Sequence, residues 1–277
     1  MDKLFAIAGD LQYPFLDMKA WKVFLEVVKS EQPDGVILNG DILDFYQISN
    51  YPKDPKRSTT IDKDLEGVKK YILDPLQFIN ERWWMDGNHD QRLERYLIKN
   101  APALKWLPKQ KAITIPNLLN LHEEGWVYKP YGDYYQLGKL WVLHGFMVRQ
   151  HSGLTARAHF DRLGTSVIIN HTHRLGTYYS TNARGPHISV ENGCLCLLKP
   201  DWMQYPNWQQ GFSLVHFNTS SGFFNIQQLP ILQRKVVIFG KRFYGKDYNS
   251  SGEDKQSSKD PGRQAMEATS ENYGTGK

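Results

Sequence analysis

The chain has 277 residues, 40% of them hydrophobic and 23% charged, enough to bury a real core and too apolar for a disordered protein. No apolar run approaches the roughly 18 residues of a membrane span, and the opening MDKLFAIAGD breaks into Gly-Asp too early for a secretory leader, so a cytoplasmic protein is expected. The net charge is +5; residues 246–277 hold five basic and six acidic side chains, leaving +6 on the rest, an excess that suits a polyanionic substrate without identifying one.

In chain order, KLFAIAG reads as a short apolar strand ending in Gly-Asp. MKAWKVFLEVVKSE follows with Trp21, Phe24, Leu25 and Val28 at the spacing of a helix face. PDGVILNGD is a second strand ending in Gly-Asp, and a Pro-, Lys- and Tyr-rich loop leads to a long helix predicted over about 62–80. RWWMDGNHD is a third strand running into a polar turn, with Trp83 and Trp84 expected in the core, and QRLERYLIKN opens another helix. Strand-helix-strand units in succession predict a parallel sheet with helices on its faces.

After Trp126 short strands replace this pattern, from WVYKP through LWVLHG, SVIINHTH and GFSLVHFN to KVVIFG, with one helix near 155–163. The turns GDY, NARG and NTSSG read as hairpins. The polar, Gly- and Ser-rich end predicts a disordered tail over 245–277, behind a single domain over 1–244. Cys194 and Cys196 are two apart in an apolar run; they fit buried, reduced packing residues better than a disulfide or a zinc site.

Five polar clusters stand at predicted strand ends, where an α/β sheet displays its ligands: Asp10 in GDLQ, Asp41 and Asp44 in GDILD, Asn88 and His89 in GNHD, His144 in LHG, and His171 with His173 in NHTH. Singly, each has an ordinary explanation as a turn, a cap or a satisfied histidine. Turns do not account for carboxylates, an amide oxygen and imidazoles at successive strand ends. Such donors suit two divalent ions sharing a carboxylate, for which Asp41 is the natural bridge. On a regular strand His171 and His173 would face one side.

As a set these motifs resemble those of the calcineurin-like metallophosphoesterase superfamily, over about residues 4–175. The NHTHRLG version and the short cap loop resemble small bacterial and phage-encoded members. The resemblance implies an α/β fold, a four-layer α/β/β/α sandwich with two mixed β-sheets, the second sheet taking in most of the chain to about 243. It also implies Asp10, Asp41 and His173 on a first metal and Asp41, Asn88, His144 and His171 on a second. His89 would protonate the leaving alkoxide, with Asp44 orienting it; a carboxylate beside an imidazole fixes its tautomer, as a general acid requires.

Many family members have histidine two residues after the first aspartate, where this chain has Gln12. Glutamine offers a neutral oxygen that ligates, holds a water ligand, or does neither. The expectation is a weaker first site preferring Mn²⁺ or Mg²⁺, with Fe and Zn²⁺ as other occupants of the pair. Asn170 replaces a common glycine before the His-x-His pair, at little cost because asparagine tolerates unusual backbone angles.

Of the basic residues near these motifs, Arg92 and Arg174 are expected to bind substrate phosphate, while Arg95 fits a solvated helix face and Arg149 and Arg157 stay open. Tyr46, Tyr51, Lys53, Lys56 and Arg57 form a natural lid loop. His151 competes with His144, but an apolar strand delivers only His144 to a strand end. The function expected is hydrolysis of a phosphodiester, nucleic acid or nucleotide, by a metal-bridged hydroxide with His89 as acid. Its alternatives are a phosphomonoesterase of the same fold, a structural-metal protein and a catalytically degenerate binding scaffold. The sequence does not assign an oligomeric state.

Overall fold

The structure, a computed structural model, describes residues 1–55, 59–107, 111–200 and 203–245. Lys56 and Arg57 of the expected lid lie outside these residues, as does the expected tail apart from Gly245.

The first half builds a parallel core from β1 (Asp2–Ala8), α1 (Met18–Glu31), β2 (Gly35–Asn39), α2 (Ile61–Val68), β3 (Glu81–Met85), α3 (Arg92–Asn100), the short α4 (Ile115–Leu118) and β4 (Trp126–Lys129). Asp17 caps α1, its Oδ1 accepting from the amides of Lys19 and Ala20, and Gln32 ends it in a left-handed conformation. The long helix expected over 62–80 is shorter. After α2 the path loosens to a π turn at Lys69–Leu73 and a 3-10 turn at Asp74–Leu76, where Pro75 cannot donate to a helical ladder.

The second half supplies β5 (Tyr135–Leu137), β6 (Leu140–Leu143), α5 (Leu154–Leu163), β7 (Ser166–Ile169), β8 (Leu175–Asn182), β9 (Gly185–Asn192), β10 (Gly211–Asn218), β11 (Phe224–Pro230), β12 (Lys235–Ile238) and β13 (Lys241–Tyr244). The first sheet runs β11-β10-β1-β2-β3-β4, the second β5-β6-β7-β9-β8, and β12 and β13 form a separate hairpin. Both large sheets are mixed: β1 to β4 are parallel, as are β6, β7 and β9, with antiparallel strands at the margins.

Two expectations need correction. β10 and β11 do not extend the second sheet; they return to the first, β10 pairing antiparallel with β1. The GDY turn is no hairpin either, because it carries the chain from β4 in one sheet to β5 in the other. NARG and NTSSG do join hairpins, β8 to β9 and β10 to β11.

Alternation along the strands sets the layering. Phe5, Ile7, Ile37 and Val215 of the first sheet meet Leu140, Val142, Ile168 and Val190 of the second in one apolar cluster between the sheets. The opposite faces of β1 and β2, with Ala6, Val36 and Leu38, pack under Trp21, Phe24 and Val28 of α1. Val167 and Ile169 form a smaller cluster with Leu143 and Leu163 on the outer side of the second sheet, where α5 packs. The result is a four-layer α/β/β/α sandwich. No helix among the described residues is long and apolar enough to cross a membrane.

With both sheet faces covered, polar residues of the interior gather at strand ends. Beneath the C-terminal ends lies a buried amide network. Asn39 Nδ2 donates to Leu143 O and to Asn170 Oδ1, each at 2.9 Å, and Asn170 Nδ2 donates to Gly193 O at 2.9 Å. Asn192 donates to Ile7 O at 3.0 Å and accepts from Ser213 Oγ at 2.6 Å. These bonds tie β1, β2 and β10 of one sheet to β6 and β9 of the other. Asn170 is thus a cross-sheet tie rather than a tolerated substitute for glycine. A Cβ on Gly9 would fall 2.6 Å from Asn170 Cγ. Gly9→Ala is therefore expected to destabilise the fold by about 1–3 kcal/mol, read as a lowered denaturation midpoint, through displacement of this network.

Candidate metal centre

Every expected ligand leaves the C-terminal end of a strand. Asp10 follows β1, Asp41 follows β2, Asn88 follows β3, His144 follows β6, and His171 and His173 follow β7. The backbone is left-handed at Asp10, Gln12, Asp41, His171 and His173, with φ of 50°, 48°, 52°, 73° and 58°. His171 and His173 therefore do not share the face of a strand, as their spacing suggested; a sharp turn beyond β7 presents them. Gly40, with φ of 83°, brings the backbone so near His144 that a Cβ would lie 2.4 Å from its Nδ1.

The expected ligands form two groups of ligating atoms, Asp10 with Asp41 and His173, and Asp41 with His144 and His171, the atoms of each lying within 4.8 Å of one another; His173 with Cys194 and Cys196 makes a third group to the same limit. Asp41 belongs to the first two. Asn88 Oδ1 lies 3.2 Å from His144 Nε2, beside the second group. Gln12 is buried beside the first, its amide nitrogen 3.2 Å from His173 Nε2. His144 Nδ1 lies 3.0 Å from Asn39 O, which takes its proton and leaves Nε2 facing Asp41.

Asp10 is wholly buried, and neither of its carboxylate oxygens has a well-formed hydrogen bond among the described residues. Burial pushes its carboxyl well up, and the neighbouring Asp41 charge adds to this against the pull of His144. Burial also opposes ionisation of Asp41, but the His144 and His89 imidazoles outweigh it and hold that carboxyl well below the usual range. Burial pushes His171 down to about 4 and His173 down to about 3, so both rings are neutral donors at pH 7. Burial presses His144 the same way, yet the Asp41 and Asp10 carboxylates raise it to about 9. Buried carboxylates with few donors of their own, surrounded by imidazole nitrogens and amides, suit divalent cations.

His89 stands at the rim. Its Nδ1 is 2.7 Å from Asp44 Oδ1, and its amide donates to Asp41 Oδ1 at 2.8 Å. Arg92 Nη1 donates to Asp44 O at 2.6 Å, while Nη2 lies 3.0 Å from His89 Nε2. A cavity of about 560 Å³ opens over Asp41, Asn88, His89, Arg92, His171 and His173. Its remaining wall includes Tyr46 and Tyr51 of the expected lid, together with Phe15, Met203 and Trp208, which no motif marks.

Several expected residues stand elsewhere. Arg174 does not line the cavity; its guanidinium is buried, donating to Gln150 O at 2.7 Å and Arg149 O at 2.5 Å beside Glu191, so it braces the loop after His144. Arg95, Arg149 and Arg157 also stand outside the cavity lining, Arg157 in contact with Asp161. Lys53 Nζ donates to Tyr46 O and Ser49 O within its own loop. His151 is exposed, away from the ligating groups.

Sequence reasoning missed two further contributions. Asp90, the last residue of GNHD, accepts from the amides of Ile42, Leu43 and Gly87 at 3.2, 2.9 and 2.8 Å, stitching together the two loops that carry Asp41 and Asn88. A carboxylate directly following the Asn-His pair was its available signal. Cys194 and Cys196 are buried and free as expected, but Cys196 Sγ also lies 3.7 Å from His173 Nδ1, backing that ring from behind.

The family model for calcineurin-like phosphoesterases matches residues 3–206. The Gene 54 proteins of mycobacteriophages D29 and L5 are each 34% identical over 233 residues, covering 78% of this chain and 89% of theirs, in keeping with the expected likeness to phage-encoded members. Among solved structures, Vps29 of Chaetomium thermophilum aligns over 82% of this chain and 97% of its own at 9% identity and a TM-score of 0.41.

The unpaired Asp10 carboxylate should weaken the metal-free protein. Asp10→Asn, which keeps a residue suited to the left-handed backbone, should melt higher than the parent chain in chelator, by about 2–4 °C for each kcal/mol recovered. Added Mn²⁺ should reverse that order, because only the parent retains the full donor set. Thermal unfolding of both proteins with and without metal reads the crossover.

Proposed function

The chain belongs to the calcineurin-like phosphoesterases, and from that premise we propose that it is a metal-dependent phosphodiesterase acting on nucleotides or nucleic acid with His89 as general acid. The observation that carries the reading is the opening of the Asp44–His89 pair into the same cavity as two ligand groups sharing Asp41. A scaffold that only bound a partner would have no need of an oriented imidazole beside grouped, buried candidate ligands.

In this reading Asp10, Asp41, His173 and Gln12 hold one divalent ion and Asp41, Asn88, His144 and His171 the other. The predominance of oxygen donors, with Gln12 in place of an imidazole, favours Mn²⁺, with Mg²⁺ next. Held by these residues, divalent ions would supply an activated water and neutralise phosphoryl charge. The rest falls to the side chains. Asp44 fixes the His89 ring by accepting from Nδ1, so Nε2 is the atom that delivers a proton to the departing alkoxide. Arg92, anchored through Nη1, places Nη2 3.0 Å from His89 Nε2; a guanidinium only donates, so this contact opens when Nε2 takes up its proton, and Nη2 is then available to a phosphate oxygen.

Two features favour a diester. Arg92 is the one Lys or Arg among the described residues lining the cavity, which suits a single phosphate charge better than the two of a monoester. The apolar wall of Phe15, Tyr46, Tyr51, Met203 and Trp208 suits an organic group on the ester, a nucleobase above all.

Purified protein with Mn²⁺ should hydrolyse bis-p-nitrophenyl phosphate faster than p-nitrophenyl phosphate, and Asp41→Ala should abolish both. His89→Ala should spare the nitrophenyl diester, whose leaving group needs no proton, yet slow a dinucleotide by about 10²- to 10⁴-fold. Equal loss on both diesters would remove His89 from the acid role. Absence of turnover with any metal in folded protein would favour the binding scaffold.

A second expectation concerns the first metal. Gln12→His supplies the missing nitrogen donor and should tighten the weaker of two metal-binding steps in calorimetric titration, leaving the other unchanged. An unaltered isotherm would mean that position 12 does not reach the ion.

A further inference from the structure

At the end of the second sheet opposite the metal ligands lies another groove, of about 1060 Å³. β6 and β7 begin at this groove and end at His144 and the His171 turn, and their four residues each separate the two sites by roughly 13 Å of strand. Trp141 of β6 and His187 of β9 line it. Tyr179 of β8 and Phe223 of the β10–β11 turn also line it, 73% and 68% exposed.

Two cations flank these rings. Lys139 is exposed in the β5–β6 turn, which is held in place by its amide donating to Gly222 O at 3.1 Å. Arg184 is exposed at the tip of the β8–β9 hairpin, where its amide donates to Asn182 Oδ1 at 2.8 Å. Among the described residues no Asp or Glu lines the groove.

Large exposed rings on a soluble surface mark a contact site, and their combination with cations and no carboxylate selects a polyanion that also carries flat apolar faces. Single-stranded nucleic acid meets both conditions; a duplex hides its bases, and an acidic peptide makes no use of the rings. We propose that this groove binds single-stranded nucleic acid, with bases stacked on Tyr179 and Phe223 and phosphates held by Lys139 and Arg184. The proposal does not depend on the reading of the metal centre.

Anisotropy of a labelled oligothymidylate, measured in chelator so that no hydrolysis intervenes, tests it directly. Tyr179→Ala and Phe223→Ala should each weaken binding by about 5- to 100-fold. Combined Lys139→Glu and Arg184→Glu should weaken it further and flatten its dependence on salt. Lys29→Glu, the same kind of charge change at an exposed position of α1, should leave it unaltered, and a duplex of equal length should bind more weakly. Ring variants that bind like the parent would overturn the proposal, as would a loss with Lys29→Glu equal to that with the groove variants. Self-association of the chain that Phe223→Ala abolishes, without oligothymidylate binding, would instead make this face an interface between copies.

Discussion

Two carboxylates, Asp10 and Asp41, are buried near one another at the ends of adjacent parallel strands, and much of the surrounding structure answers that concentration of charge. Like charges in a low-dielectric interior cannot both ionise without compensation. Part of it comes from the chain: the His89 amide and the His144 imidazole face Asp41. For Asp10 the His171 amide and the Asn170 side chain give only partial help, and burial drives it toward its neutral form. The fold thus buries two acid groups with incomplete compensation, a setting that suits divalent cations. The neutral state imposed on His171 and His173 complements it, since each offers a lone pair without first losing a proton.

Holding the donors in place demands an unusual backbone. A strand delivers alternate side chains to opposite faces, so ligands from five strands cannot converge on one point while remaining in extended conformation. Left-handed turns at Asp10, Asp41, His171 and His173 solve this at a cost of about 1–3 kcal/mol for each such residue. What opposes that cost is the amide network below: Asn39, Asn170 and Asn192 bond main-chain carbonyls from both sheets, and Asp90 pins the loops that carry Asp41 and Asn88.

The strands and the gathering of candidate ligands at their ends were legible in the sequence because a polar residue ending an apolar run has few structural explanations, and five in succession have fewer. Asp44 with His89 followed from the same motifs. Arg174 was misleading, because its adjacency to His173 says nothing about direction; its guanidinium turns away to carbonyls that only the folded loop assembles. Phe15 and Trp208 reach the cavity from segments without periodicity, and Trp208 comes to rest against His173, ring centres 4.2 Å apart, by tertiary packing alone. The sheet membership of β10 was equally hidden: its alternation suits either sheet, and only the partner strand decides.

That partner is β1. Asp2 pairs with Asn218, and the register continues to Ile7 opposite Ser213, so the second residue of the chain is bonded to one more than two hundred positions later. During synthesis β1 can associate with β2 early, but its other edge stays bare until nearly the whole domain has left the ribosome. Asp10 is carried on that half-finished strand. The chain therefore emerges with an unsatisfied strand edge beside a candidate ligand, and that edge is covered by the late arrival of β10. A truncation before residue 211 would remove this cover while leaving every candidate ligand in place.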